Sequence, residues 1–338
     1  MNTESITLSI IVVAFNEGDH VARLKQSFDN LRLPAGVVLQ SILVDGGSED
    51  HTVEAARNAG FTTIEVLPGA SIPVCRNKGH EVATGQWIAH IDGDCELAEN
   101  WLEVAEPFLQ SSDPVVLGWP VSPPEPGTWV ERAWHTHWTH KNLVLQEFEG
   151  QQVVIKEAFR LLTTRNLVMN REIAETIDGF NEELPTGEDT DFVFRAYQRD
   201  LHVLAVPGLK VVHYGEPKTL GEFYKQQLWH ANRSSYTTIM RESKGQTGGN
   251  APKFTFLYLV TALLFIGALS AFAISGCPWY LLALLPWPGL ISLPAAMIAL
   301  KAKKPLRFFP LCALYAAYGL ARTLDFVGLF RKKSSWKS

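Results

Sequence analysis

The 338 residues are enough for about two domains of ordinary size. Their 30 basic and 35 acidic side chains leave a net charge of −5, which excludes a protein that grips nucleic acid through a broad basic face. Cys75, Cys95, Cys277 and Cys312 form neither a CxxC pair nor an even framework, which excludes a disulfide-stapled module or a zinc ribbon and fits a reducing compartment.

Residues 9–15 (SIIVVAF), 41–45 (SILVD), 62–67 (TTIEVL) and 87–92 (WIAHID) are short apolar runs of the kind found in strands buried on both faces. Amphipathic stretches over about 18–30, 50–59 and 73–84 separate them. This alternation predicts a doubly wound α/β domain with a mostly parallel central sheet. Met1–Glu4 carry no basic cluster and the first apolar run is short for the core of a leader, so this domain is expected in the cytosol.

Polar residues recur just past the predicted strand ends: Asn16 and Glu17 after the first, Asp45 closing the second, Asp92 and Asp94 around Gly93 after the fourth. In an open parallel sheet that edge is where ligands bind, and three acidic strand ends together carry more weight than any one. A single Asp-x-Asp is common in turns, and Asp50 before a helix reads as a cap. Two hard oxygen donors at a strand rim suit Mg2+ or Mn2+, a metal that commonly shares its shell with substrate phosphates.

Five segments, SIIVVAFNE, ILVDGGSEDHT, Arg76-Asn77-Lys78-Gly79, ATGQWIAHIDGDCEL and GFNEELPTGEDTDFVFRA, come in an order that resembles the family 2 glycosyltransferases of the GT-A fold, over roughly residues 6–230. The resemblance implies a Rossmann-like nucleotide-sugar domain that performs inverting transfer from a nucleotide diphosphate sugar, usually UDP-linked, with Mn2+ or Mg2+ on the diphosphate. By position it implies donor contacts from Ala14, Asn16, Glu17, Asp45, Arg76, Asp92 and Gly93, with Asp45 facing the base. Asp94 falls on the metal position. The family often has two Asp before Gly-Ser, and here Gly46 replaces the second, which bears on donor choice more than on the reaction.

Transfer to an alcohol needs a base for the hydroxyl proton. Gly187-Glu188-Asp189 opens an amphipathic stretch, 190–199, and matches the family's Glu-Asp motif, which implies Asp189 as base and Glu188 on the acceptor side. On sequence alone these acids equally suit the helix dipole. Asp191 and Arg195 stand i,i+4 and predict a surface pair. His213 ends a strand-like run, and in similar enzymes a His there completes the metal site or touches the diphosphate. Trp229, in a predicted helix over 219–243, is the acceptor-side candidate, and QQLWH lacks the Arg of the processive Gln-x-x-Arg-Trp box, which disfavours long-chain polymerisation. WVERAWHTHWTH (129–140) reads as an amphipathic helix at an acceptor site or membrane surface; His135, His137 and His140 lack the acid or Cys that would complete a metal set.

Between Phe254 and Leu300 there are 47 residues without one charge. Spans are expected at about 254–275 and at 279–300, the second kinked by Pro286, Pro288 and Pro294. The stretch 308–330 contains Arg322 and Asp325 and is expected as an interfacial helix rather than a third span. KAKKPLR (301–307) and the terminal Arg331, Lys332, Lys333 and Lys337 predict a cytoplasmic face by the positive-inside rule. The expected organisation is therefore a cytoplasmic catalytic domain over 1–250 and a multi-pass region over 251–338 in the cell's inner membrane. Its partners would be a nucleotide sugar, a lipid-linked or membrane acceptor and the bilayer, with no nucleic acid. The alternatives are a polyprenyl-phosphate sugar synthase and an inactive nucleotide-sugar-binding protein.

Overall fold

A computed structural model describes residues 5–111, 113–139, 144–184, 186–231 and 251–328. His140, most of the expected helix beyond His230 and the terminal basic cluster lie outside the described residues. Two compact units emerge: Met1–Pro124 with Leu143–Gly215 and Ser334–Ser338, and Glu125–Asn142 with Glu216–Lys333. The units thus divide elsewhere than at residue 250, because two helices from the first 250 residues group with the C-terminal ones.

The first unit opens with β1 (Ile6–Ala14), α1 (Gly18–Asp29), β2 (Val37–Asp45), α2 (Thr52–Ala59), β3 (Thr63–Val66), α3 (Ile72–Val82) and β4 (Trp87–Asp92). β5 (Cys95–Leu97), α4 (Trp101–Leu109) and β6 (Val115–Gly118) follow. After α5 (Trp129–Thr139), which belongs to the second unit, come β7 (Leu145–Phe148), β8 (Gln151–Val154), β9 (Leu167–Asn170) and α6 (Arg171–Thr176). The unit closes with α7 (Glu188–Gln198), β10 (His202–Ala205) and β11 (Val211–His213).

Nine strands form one sheet in the order β3-β2-β1-β4-β9-β6-β10-β8-β7, in which β9 and β8 run against the other seven. The parallel part is the one legible as alternating apolar runs. The antiparallel part includes a hairpin whose loop, Glu149-Gly150, has φ of 49° and 69°, the left-handed pair a two-residue turn needs to match strand twist. Alternate residues of the central strands feed opposite faces. Leu8, Ile10 and Val12 meet Val21, Leu24 and Trp101 of α1 and α4, while Ile11 and Val13 meet Cys75, Ile173 and Phe192 of α3, α6 and α7. Both faces are covered, as a doubly wound sheet requires.

The register fixes the site. Ala14 pairs with Asp45 and Val13 with Asp92, so the carboxyl ends of β1, β2 and β4 stand level. A separate two-stranded ladder pairs β5 with β11, setting His213 opposite Cys95. Asn166, fully buried, ties the nearby loops: it accepts from Trp101 Nε1 at 3.1 Å and donates to the carbonyls of Trp119 and Leu209 at 3.1 and 2.8 Å.

The second unit is helical: α5, α8 (Leu220–His230), α9 (Ala251–Ser275), α10 (Pro286–Lys301) and α11 (Phe308–Phe326). α8 starts on a capping box, Thr219 Oγ1 accepting from Glu222 N at 3.2 Å while the Glu222 carboxylate accepts from Thr219 N. Val130 and Ala133 of α5 and Phe223 of α8 share one core with Tyr258, Ala295, Leu311 and Leu314. The Trp/His helix α5 is thereby spent on packing in this unit: Trp134 stacks on His137 at 4.8 Å, and His137 Nδ1 lies 2.8 Å from Tyr315 Oη. α9 and α11 approach closely at Gly319, where a Cβ would come within 2.2 Å of the Tyr258 ring. Among the described residues two segments, Lys253–Ser275 and Pro278–Lys301, are long and apolar enough to cross a membrane. α11 is not one of them; it is packed into the bundle through Leu311 and Leu314.

Candidate active site

At the level strand ends of the sheet unit a cleft is lined by Val13, Phe15, Glu17, Ile72, Arg76, Asp92, Gly93, Asp94, His213 and Gly215. The loop that carries Phe15 and Glu17 into the cleft is laced to the loop after β2. Asn16 N donates to Ser48 Oγ at 2.8 Å, Glu49 N to Asn16 Oδ1 at 2.9 Å, and Glu17 N to Thr52 Oγ1 at 2.8 Å. Asn16 itself has φ of 57°, a left-handed conformation that Asn tolerates better than most residues. Asp45, fully buried, accepts from Gly47 N at 2.9 Å and Ser48 N at 2.8 Å, and its other oxygen takes the Ser48 hydroxyl. Asp45 therefore shapes the turn that borders the cleft. Asp50 Oδ1 accepts from Thr52 N at 3.0 Å and Oδ2 from Gly18 N at 3.1 Å, so it caps both α2 and the turn into α1.

Arg76 is the cation of the site. It reaches in from α3, is 5% exposed, bonds the Glu188 carboxylate and lies 3.4 Å from Asp92. Burial opposes its charge, but Glu188, Asp92 and Asp189 hold it protonated. Glu188, expected on the acceptor side, is the buried partner of Arg76, across 112 residues of sequence. Burial pushes the Glu188 carboxyl upward, aided by Asp189, against the pull of Arg76. Asp189 stands next to it in the first turn of α7, half-buried, accepting from Thr190 N at 2.6 Å.

Asp94 faces His213, with Oδ2 3.2 Å from Nε2. Burial opposes the Asp94 charge, yet the hydrogen bond and charge of His213 hold its carboxyl below the usual value. A Cβ on Gly215 would lie 2.0 Å from Asp94 Oδ2, so glycine there leaves room for the carboxylate. The Asp92 and Glu17 carboxyls are both raised, first by burial and then by each site's neighbouring acids, although Glu17 keeps a 2.7 Å contact to His20 Nδ1. Among the described residues the cleft is lined by the carboxylates of Glu17, Asp92 and Asp94 with Arg76 and His213, an acid-rich set that a divalent cation would help balance, and Asp94 and His213 offer oxygen and nitrogen donors for it.

The other sequence candidates fall as follows. Ala14 ends β1 beside the cleft, and Gly93 lines it, where a Cβ would press on Glu17 at 3.2 Å. Trp229 belongs to the helical unit, exposed on α8 with its ring 4.7 Å from that of His230. Asp191 and Arg195 do pair, at 2.8 Å, but not on the surface: Asp191 is 4% exposed, and Arg195 also donates to the carbonyls of Ile177 and Gly179. The pair anchors α7 to the turn after α6. Sequence reasoning overlooked Gly215 and Cys95, whose places depend on the β5–β11 ladder.

The model of the family described as "Glycosyl transferase family 2" matches residues 9–177, half of the 338-residue chain. The chain belongs to glycosyl transferase family 2. Glycosyltransferase AglE of Haloferax volcanii is 25% identical over 228 residues, which cover 65% of this chain and 70% of AglE. The uncharacterized glycosyltransferase YibD of Escherichia coli is 32% identical over 94 residues, only 27% of this chain and 26% of YibD. Among solved structures, the mannosyltransferase PcManGT of Pyrobaculum calidifontis, in complex with GDP-Man and Mn2+, superposes with a TM-score of 0.60 at 17% identity, covering 96% of this chain and 88% of that one. TarS 1-349 of S. aureus in complex with UDP-GlcNAc gives 0.50 at 15% identity, over 97% and 93% of the two chains. The sheet unit thus has the GT-A fold, and this family 2 member is a glycosyltransferase that uses nucleotide sugars.

Proposed function

We propose that this protein is an inverting, metal-dependent hexosyltransferase that moves a sugar from a nucleotide diphosphate sugar, UDP-linked, to a hydroxyl or phosphate of a lipid-linked or membrane acceptor. The observation that carries this reading is the anionic cleft at the level strand ends, in which Asp94 faces His213 and Arg76 stands opposite. Asn16, Glu17 and Asp45 form the nucleoside side of the cleft, Asp45 through the turn it holds. Arg76, kept charged by Glu188, meets the diphosphate and stabilises the negative charge that grows on it as the glycosidic bond breaks. Asp94 and His213 would hold Mn2+ or Mg2+, which when bound acts as a Lewis acid on the diphosphate. Asp189 takes the proton of an acceptor hydroxyl as its oxygen bonds the anomeric carbon from the face opposite the leaving group, and the nucleotide diphosphate departs with the bonding electrons.

The proposed setting is the cell's inner membrane, with α9 and the Pro278–Lys301 segment as two spans and the sheet unit in the cytoplasm. Large apolar side chains that point outward from these helices support it, among them Ile274 at 88% exposure. The basic turn Lys301, Lys303, Lys304 and Arg307 would meet anionic headgroups on the same side. The test is incubation of membranes containing the full-length protein with a panel of labelled UDP- and GDP-sugars. Label appearing in the lipid extract from one donor, with Mn2+ or Mg2+ and not with EDTA, is the expected result. Label appearing only in water-soluble products overturns the lipid acceptor.

A further inference from the structure

The assigned metal ligands, Asp94 and His213, have a third potential donor beside them. In an antiparallel ladder, directly opposed residues project to one face with Cβ atoms about 4.5–5.5 Å apart. The register of β5 against β11 opposes Cys95 to His213, and Tyr214 N, donating to Asp94 O at 3.0 Å, closes the end of that ladder. As a result an Asp94 carboxylate oxygen, a His213 ring nitrogen and the Cys95 Sγ all lie within 4.8 Å of one another, and all three residues are buried. Ligand atoms at about 2.0–2.3 Å from one ion stand no more than about 4.6 Å apart, so any pair near the 4.8 Å limit has to close slightly as an ion binds. The thiol lies 3.7 Å from the Arg165 carbonyl, a weak polar contact. Tyr214 braces the ladder from outside: its hydroxyl donates to Glu96 at 2.7 Å, and Arg23 lies 4.1 Å over its ring.

We propose that Cys95 is a protein ligand of the cation held by Asp94 and His213, and that this sulfur makes the site thiophilic, favouring Zn2+, Cd2+ and Co2+ over Mg2+. The inference rests on the metal reading above and goes beyond it by naming a ligand and a metal preference. On binding, the S–H bond breaks, a sulfur–metal bond forms from the thiolate lone pair, and the proton passes to solvent. No oxidation state changes. Asp94, His213 and Cys95 would hold the cation, which would supply positive charge beside the diphosphate site.

The experiment is a Co2+ titration of the full-length, detergent-solubilised protein followed by absorption, alongside Cys95→Ser and Cys75→Ser. Wild type and Cys75→Ser should develop the near-ultraviolet band of thiolate-to-cobalt charge transfer, and Cys95→Ser should lack it. In competition titrations Cys95→Ser should weaken Cd2+ by about tenfold or more, while Mn2+ binding changes far less. Should Cys95→Ser fail to fold, a triple variant, Cys75→Ser with Cys277→Ser and Cys312→Ser, decides: Cys95 is then the one cysteine left, so the sulfur band should persist, and its loss overturns Cys95 as ligand. Co2+ bound without the sulfur band, or unchanged Cd2+ affinity in Cys95→Ser, overturns Cys95 as ligand and leaves the metal site standing. Failure of wild type to bind Co2+, Cd2+ or Mn2+, even with UDP present, overturns the metal reading along with it.

Discussion

The two units treat charge and apolar surface in opposite ways. In the sheet unit the large apolar side chains are inside: Ile10, Ile42, Trp101 and Phe192 are buried, and the buried charges Arg76, Glu188 and Asp45 sit at one rim. In the helical unit Leu263, Ile266, Met297 and Leu300 point outward, and the span windows are only 11% buried within the protein. The first pattern is that of a chain folded in water, which concentrates charge where a ligand compensates for its burial. The second is the pattern expected of helices that meet an apolar solvent, in keeping with the proposed membrane setting. Substitutions in the two units should therefore sort by which surroundings they offend.

The largest expected effect lies at the charged rim. Asp189→Asn keeps size and hydrogen bonding but removes proton affinity, so transfer should fall by about 10²- to 10⁴-fold while donor binding survives. Asp191→Asn, in the buried anchor of α7, should lower stability with much of the turnover per folded molecule retained. Kinetics with active-site titration compare them; a dead Asp191→Asn beside an active Asp189→Asn would move the base.

Arg76→Met leaves Glu188 buried without its cation and should destabilise the sheet unit by about 3–5 kcal/mol in chemical denaturation. A double variant, Arg76→Met with Glu188→Leu, should recover much of that loss while staying inactive. An equally destabilised double variant would show that the pair is not the unit of stability. In the other unit, Ile266→Arg puts a charge on an outward apolar position of α9, at a cost of about 2.5–3.5 kcal/mol for insertion. The carbonate-resistant membrane fraction should drop; no change would mean that this face does not meet lipid.

The smallest effect concerns pH. His80 and His90 touch through their Nε2 atoms at 2.8 Å behind Arg76, beside Phe180. Burial pushes His80 down to about 4, and His90 further, with nearby positive charge adding to it. Between 6.5 and 4 the unfolded chain therefore binds protons that the folded one refuses, so stability falls as pH falls through that window and is fully present above 6.5. His80→Gln should flatten this slope by up to about 3 kcal/mol across the window. An unchanged slope would place the pH dependence elsewhere.

What could be read from the sequence and what could not also divides along physical lines. β1, β2 and β4 were legible as apolar runs because strands buried on both faces leave no polar alternation, and their acidic ends followed from that. Helices α9 and α10 were legible because they lie almost wholly in a 47-residue stretch without a charged side chain. β11 showed as a strand-like run ending in His213, but strands as short as β5 and β9 carry too little pattern to register, and nothing local pairs β5 with β11, so the ladder that joins Cys95 and His213 was invisible. The Arg76–Glu188 bond spans 112 residues and has no local signature, so Glu188 was read as an acceptor-side acid. Asp191 and Arg195 have the spacing of an exposed helical pair, and only the carbonyls of Ile177 and Gly179 reveal that pair as buried. Trp134 and His137 of α5 suited a surface helix until Phe223 and Tyr315 covered them.

The central claim is that the anionic cleft at the strand ends turns over a nucleotide sugar with the help of a divalent cation. Its most direct test is release of nucleotide diphosphate from the preferred donor, measured for the full-length protein and Asp94→Ala in Mn2+ and in excess EDTA. The account predicts release by wild type with Mn2+ alone, and background in the other three conditions. Full turnover by wild type in EDTA, or by Asp94→Ala, would contradict it.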